Sequence, residues 1–257
     1  LVLGGDETAP CPDTADCIEP EHLVADGARY DPVADAWTPI AEAPVAPTPG
    51  GALAFPAGGF FVLRGNGCHT FLDAGPLGSE GRLGHGHLDT LSLELSAPGG
   101  IFLCDTGCLA YTSDARSYRE QVSTAAHNTV GVDGLDQAEL TGLWRIAADG
   151  TRPRVVAWEP GPGVQCWEAE HHGYGRLRDP VVHRRRVTFW TDARRWEVLD
   201  ALEGREEHEL VLRWHCAPGV VARPTSGHEV MLAREGGVDD PVVEPGKLKS
   251  VKGIGWF

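Results

Sequence analysis

Glycine and proline interrupt this chain so often that no long helix can run through it. The 257 residues include 33 Gly and 19 Pro, both costly inside a helix. Between the interruptions lie short runs rich in Val, Leu, Phe and Trp. Short apolar runs bounded by turn residues are read as strands, so the chain is expected to be all-β. The clearest hairpin is LSLELSAPGGIFLCD at 91–105. Leu91, Leu93 and Leu95 alternate with Ser92, Glu94 and Ser96, Pro98-Gly99-Gly100 makes the turn, and Ile101 to Cys104 returns. Two short strands flank a turn in ALAFPAGGFFVLRG, and others are expected at 128–133, 154–158, 164–170, 181–190, 195–200 and 208–215. This recurrence is that of an antiparallel β-sandwich. Trp158, Trp167, Trp190, Trp196 and Trp214 fall in these strands, where core packing is their default role. One short helix is expected over 114–122, with Asp114 near its start.

With 42% hydrophobic residues, the chain can bury one large core or two modest ones. No apolar stretch approaches the roughly 20 residues of a membrane span. The chain begins at Leu1 with no basic-then-apolar leader, as a processed protein or a fragment would. A formal net charge of -15 disfavours nucleic acid as a partner. It also repels a polyanionic polysaccharide at long range, unless a local cationic cleft captures it. The seven cysteines show no disulfide framework: Cys11 and Cys17 flank a short polar loop and could pair, Cys104 and Cys108 bracket Asp105, and the rest are scattered. Without a second cysteine pair, ordinary thiols explain Cys104 and Cys108 better than zinc does. This cysteine usage is compatible with a periplasmic or secreted location.

Residues 1–48 differ from the rest. LVLGG ends in a Gly pair, and Tyr30 and Trp37 stand on either side of the turn DPVADA. This segment resembles one blade of a kelch β-propeller, yet no second copy follows, and a lone blade cannot bury its faces. A β-hairpin extension accounts for it equally well. The Pro/Gly stretch APVAPTPGG at 43–51 reads as a linker, giving two units, 1–48 and 49–257. The polar, Pro/Gly-punctuated tail after about residue 235 has no assigned place.

Chemistry concentrates in three segments: HGHLD at 85–89, CDTG at 104–107 and TAAHNTV at 124–130. His87, Asp105 and His127 offer imidazole nitrogens and a carboxylate, a donor set that suits zinc or a similar divalent ion. Spacing alone leaves a metal site and ordinary hydrogen-bonded roles both open. Centred on Pro98-Gly99, the hairpin sets Asp105 opposite Ser92. A straight strand would then leave His87 five residues further, roughly 17 Å away. A shared metal therefore requires residues 84–90 to curl, which Gly84 and Gly86 permit.

Taken together, GHGHLDTLSLELSAPGGIFLCDTG, YREQVSTAAHNTVGVDGLDQ and the later VHRRRVTFW and RWEVLDALEG resemble the core signature of the heparinase II/III family. These lyases cleave uronic-acid polysaccharides such as heparan sulfate and alginate. The resemblance implies that His87, Asp105 and His127 hold a metal, usually zinc. It implies that His85 faces the substrate, that Asn128 and Thr129 fix the loop, and that Tyr111 lies near the cleft and binds substrate. Tyr118 and Arg119 are weaker candidates, with helix packing and solvation as their ordinary roles. β-Elimination needs a group to neutralise the uronate, a base to take the C5 proton and an acid to protonate the leaving oxygen. His85 suits neutralisation or the base, and the metal would chiefly pin its loop. The family also carries an α/α-toroid that completes the active site, and nothing here has its helical periodicity, so a toroid on another chain is the implied partner. The alternatives are a non-catalytic glycan-binding or structural β-sandwich module, and a truncated product without independent function.

In the run His183-Arg184-Arg185-Arg186, alternation sets Arg184 and Arg186 on one face and His183 and Arg185 on the other. A solvated strand paired with acids is favoured there over a polyanion site. His171-His172 reads as a solvated, Gly-flanked loop.

Overall fold

The computed structural model describes residues 51–78, 82–109, 112–224 and 230–234 in full, and the backbone of strands at 2–3, 27–31, 36–40, 242–245, 249–251 and 254–256. The all-β expectation holds: strands fill two facing sheets. The smaller has five antiparallel strands in chain order, Leu53–Phe55, Phe60–Gly65, Cys68–Asp73, Leu93–Ala97 and Gly100–Leu103. The larger is built on four consecutive antiparallel strands, Arg154–Pro160, Val164–His171, Val182–Trp190 and Arg195–Glu203. The strands at 242–245, 230–234 and 220–224 extend it, with Val242–Pro245 parallel to Arg195–Val198. The tail that had no assigned place thus contributes backbone pairing to this sheet, as Ile254–Trp256 also does.

Alternation decides what lies between the sheets. Phe61, Leu63, Leu72, Leu93, Leu95 and Phe102 from the small sheet meet Trp167, Val187, Phe189, Trp196 and Val198 from the large one in a single buried cluster. Phe189 and Trp196 stack at 4.4 Å between ring centroids. Trp196 donates its indole N–H to the Thr70 hydroxyl across the interface at 2.7 Å, so the buried donor is satisfied. Core packing is confirmed for Trp167 and Trp196, which are fully buried. Trp158, Trp190 and Trp214 are only partly so, and Trp214 lies outside any strand.

The helix spans Ala115–Val122, and Asp114 caps it by accepting from the backbone N–H groups of Arg116 and Ser117. Its Tyr118 and Val122 close a second apolar cluster with Leu77, Leu83, Leu88 and Ile146. The three N-terminal strands form a separate antiparallel sheet in which Tyr30 opposes Trp37. The loop around Cys11 and Cys17, the linker at 43–50 and Tyr111 lie outside the described residues.

Three expectations need correction. The hairpin strand starts at Leu93, not Leu91: Leu91 takes a left-handed backbone, φ 65°. A bulge at the return strand pairs Leu95 with Leu103, one residue off the simple register, so Asp105 continues toward Leu93 instead of Ser92. His171 is fully buried, not solvated, because the Val164–His171 strand runs on far enough to carry it under the sheet.

Candidate metal centre and cleft

The segment from Leu83 to Ser92 does curl. Gly84 has φ 60°, the Gly86 N–H returns to the Leu83 carbonyl at 2.8 Å, and the Ser92 N–H returns to the Asp89 carbonyl at 2.8 Å. Irregular buried backbone must find partners outside a ladder, and here later side chains supply them. Thr124 donates to the Leu88 carbonyl at 2.8 Å, Gln137 to that of Thr90 at 2.9 Å and Arg185 to that of Leu91 at 2.8 Å.

Asn128 performs the same service for the hairpin. Its amide N–H groups donate to the Leu93 and Cys104 carbonyls at 2.8 and 3.0 Å, tying the two strands at their open end. Its side-chain oxygen accepts from the His215 N–H at 2.6 Å, and its own carbonyl accepts from Arg185 at 2.5 Å. Thr129 donates to the Thr90 carbonyl at 3.2 Å. Both residues hold the loops that carry the histidines, consistent with the role the motif implied for them.

These constraints bring one ligand atom each from His87, Asp89, Asp105 and His127 within 4.8 Å of one another. All three sequence-derived ligand candidates converge, and Asp89 joins them. Around a tetrahedral zinc, ligand atoms about 2.0–2.2 Å from the ion lie roughly 3.3–3.6 Å apart, a spacing that small side-chain shifts would reach from this arrangement. Two imidazoles and two carboxylates are a fitting donor set for a divalent cation. His127 and Asp105 meet at 2.6 Å through Nδ1 and Oδ2, a charge-assisted contact whose proton a cation would displace. On the far side of the ring, Nε2 is buried without a well-formed hydrogen bond. Cys104 and Cys108 take no part in this group.

The cleft beside it, about 360 Å³, is lined by His85, His87, Asp89 and Asp105 together with Asp73 and Glu94. Four carboxylates in one partly buried space cannot all ionise freely. Burial, then the charge of Asp89, pushes the Asp73 carboxyl up to about 7. Burial and Asp105 likewise raise Glu94, and burial raises Asp89 against the pull of His127 and His87. Burial would raise Asp105 too, but the hydrogen bond and charge of His127 outweigh it and hold it low. Burial and the His127 charge lower His87, while for His127 burial is outweighed by the Asp105 hydrogen bond and the Asp89 charge, which raise it. A dication at the centre would stabilise the ligand carboxylates in their charged form.

His85 is exposed on the rim, its ring edge-on to Trp144 at 6.3 Å. Tyr118, a weaker substrate candidate, is instead buried, its hydroxyl donating to the Gly84 carbonyl at 3.4 Å and its ring 4.7 Å from Trp144. Arg119 is exposed on the helix. Sequence reasoning missed Asp89, Asp73 and Glu94 as cleft residues. For Asp89 the signal was present, since it follows His85 and His87 at the same two-residue spacing.

Comparison with known proteins places the fold. Residues 47–247 match the family described as heparinase II/III-like, C-terminal. No curated protein matches the sequence. Among solved structures, a heparinase III gene product shares the fold at a TM-score of 0.56 and 21% identity, covering 70% of this chain and 26% of its own. Heparan sulfate lyase HepC from Pedobacter heparinus follows at 0.54 and 21%, covering 68% of this chain and 25% of its own. The chain thus spans about a quarter of the length of these similar structures. A family match over most of the chain, on two facing sheets of the same fold, makes this chain a member of the heparinase II/III-like family that carries its C-terminal β-domain.

Proposed function

We propose that this β-domain serves a polysaccharide lyase that cleaves uronic-acid-containing chains by β-elimination. The observation that carries the reading is the convergence of His87, Asp89, Asp105 and His127 beside a cleft with His85 on its rim. Zinc is the metal best suited to this donor set, with His87, Asp105 and His127 as ligands and Asp89 as a fourth. When bound, it supplies positive charge that fixes the His85 loop and offsets the surrounding carboxylates.

In the reaction, a base removes the proton at C5 of the uronate. The electron pair forms the C4–C5 double bond, the bond from C4 to the glycosidic oxygen breaks, and an acid protonates that oxygen. His85 is the residue of this chain that faces the substrate, either neutralising the carboxylate or taking the C5 proton. Tyr111 is proposed as a substrate contact on the resemblance alone. An α/α-toroid supplied from beyond this sequence, or by another chain, would complete the site, in a periplasmic or secreted setting.

The test incubates the chain, alone and with a toroid from a heparinase II/III-type lyase, with heparan sulfate, alginate and hyaluronan. Ultraviolet absorbance of unsaturated uronate reports cleavage. Product from at least one polymer, lost in His85→Ala, is expected. No product under any condition, with the fold intact, would favour the alternative of a non-catalytic glycan-binding module. Metal analysis checks the centre separately: His87→Ala should lose the metal, and unchanged content would overturn the ligand assignment.

A further inference from the structure

The candidate cleft is acidic, with Asp73, Asp89, Glu94 and Asp105 on its walls. A polyanion approaching it, on a chain of net charge -15, needs positive charge nearby. Several arginines among the described residues are already answered by carboxylates. Arg154, Arg184 and Arg186 pair with Glu168 and Glu170, and Arg185 pairs with Asp200.

Arg82 and Arg145 are different. They sit directly opposite one another across an isolated antiparallel bridge, steadied by the Leu83 N–H donating to the Trp144 carbonyl at 3.1 Å. Like charges opposed in this way repel. Both residues are exposed, and among the described residues neither is in an ion pair. Together with Gly84 and Trp144 they line a cleft of about 430 Å³. Gly84 adjoins His85, so this cleft opens immediately beside the catalytic candidate. The Trp144 ring is held against Tyr118 at 4.7 Å and lies 6.3 Å from His85. The arrangement combines a fixed aromatic surface, on which a sugar ring can stack, with two planar cations suited to bidentate anion contacts.

We propose that Arg82, Trp144 and Arg145 form a subsite for an anionic substituent, carboxylate or sulfate, on a sugar unit flanking the one at His85. The choice of a polysaccharide as ligand rests on the function proposed above. The location of the subsite rests on the opposed arginines.

The test measures binding, not turnover, of the full chain to heparan sulfate, which carries both groups, and to hyaluronan, which carries carboxylate alone. Wild type, Arg82→Ala/Arg145→Ala and the charge-reversed Arg82→Glu/Arg145→Glu are compared at several salt concentrations. These exposed substitutions should leave the melting temperature unchanged. Heparan sulfate binding should weaken at least about tenfold in the alanine variant and further in the reversed one. The salt dependence should flatten by about two counterions, by the logic of polyelectrolyte release. An equal loss for hyaluronan identifies the carboxylate as the anion bound, while a loss confined to heparan sulfate identifies the sulfate. Variants that bind like wild type would overturn the subsite, as would a wild type that binds neither polymer. Unsaturated product with unchanged binding would sink the subsite and leave the lyase reading standing. Weakened binding without product would do the reverse.

Discussion

Two clusters of histidine and carboxylate are linked through Arg185 in this molecule, and they are built on opposite principles. In the cleft, four carboxylates share two buried or half-buried imidazoles, and the pKa values of neighbouring groups are driven apart. Beneath the large sheet, Arg185, Asp200, His183 and His171 are all fully buried, and there donors and acceptors balance. Arg185 grips Asp200 through Nε at 2.7 Å and Nη2 at 2.9 Å. His183 Nε2 meets Asp200 at 2.7 Å, and His171 Nε2 meets His183 Nδ1 at 3.1 Å. The Gly173 N–H donates to His171 Nδ1 at 3.1 Å. That last donor sets the direction of the whole chain: both histidines are neutral with the proton on Nε2. A balanced cluster serves structure, and an unbalanced one can receive a cation. The two are joined, because Arg185 also donates to the carbonyls of Leu91 and Asn128, which flank the ligand-bearing loops.

The largest effect is expected from breaking the balanced cluster. Arg185→Met leaves Asp200 charged, buried and short of its main partner, which should cost about 3–5 kcal/mol in denaturant unfolding. Arg185→Met/Asp200→Leu removes both charges and should regain much of that loss. The double variant should nevertheless bind the metal more weakly than wild type, because the Leu91 and Asn128 carbonyls lose their donor. A double variant with wild-type metal affinity would show that Arg185 serves stability alone. His87→Ala should show the opposite pattern, with metal lost and the metal-free fold little changed.

Next in size is a pH effect that separates the same two clusters. Burial, then the charge of His183, lowers His171 well below its ordinary value. Burial also lowers His183, despite Asp200. A lowered folded value means that the unfolded chain takes up the proton first as pH falls. The stability these histidines contribute is thus present above about 6.5 and lost as pH falls from there toward the folded values. Comparing wild type with His171→Phe cancels the cleft carboxylates, which are common to both. Below pH 6.5 the wild type should lose stability faster, by up to about 1.4 kcal/mol per pH unit. Parallel curves would mean that His171 is protonated in the fold.

The sequence made these regions legible to different degrees. The Ala115–Val122 helix with its Asp114 cap, and the strands at 154–160, 164–171, 182–190 and 195–203, follow from local pattern, since alternation and capping are local physics. The grouping of His87, Asp105 and His127 does not: they are separated by 18 and 22 residues, and only a family motif linked them before the loop geometry was known. Asp89 was hidden in plain view because its carboxylate counts only once the curl turns it toward His127. His171 looked solvated beside glycines because its burial depends on where a strand ends, which is the least local feature of a sheet. The left-handed Leu91 and the bulge in the return strand exist to deliver Asp105 and the histidines to one point. A regular hairpin pattern cannot announce them.

The smallest effect is expected on the outer face of the strand that carries Arg185. Arg184 and Arg186 alternate with the buried pair as the sequence predicted, and they are 38% and 50% exposed at the side chain. Arg184 meets Glu170 through Nε at 3.0 Å and Nη2 at 2.6 Å, yet water screens the pair and Glu170 keeps Arg154 as a second partner at 2.6 Å. Arg184→Ala should therefore cost no more than about 1 kcal/mol, a loss that shrinks further in high salt. It should leave heparan sulfate binding unchanged, since its charge is already answered. If instead binding fell while stability held, the outer face of this strand would be a polyanion surface after all. The contrast between one sealed arginine and its exposed neighbour would then lie in ligand recognition as well as in folding.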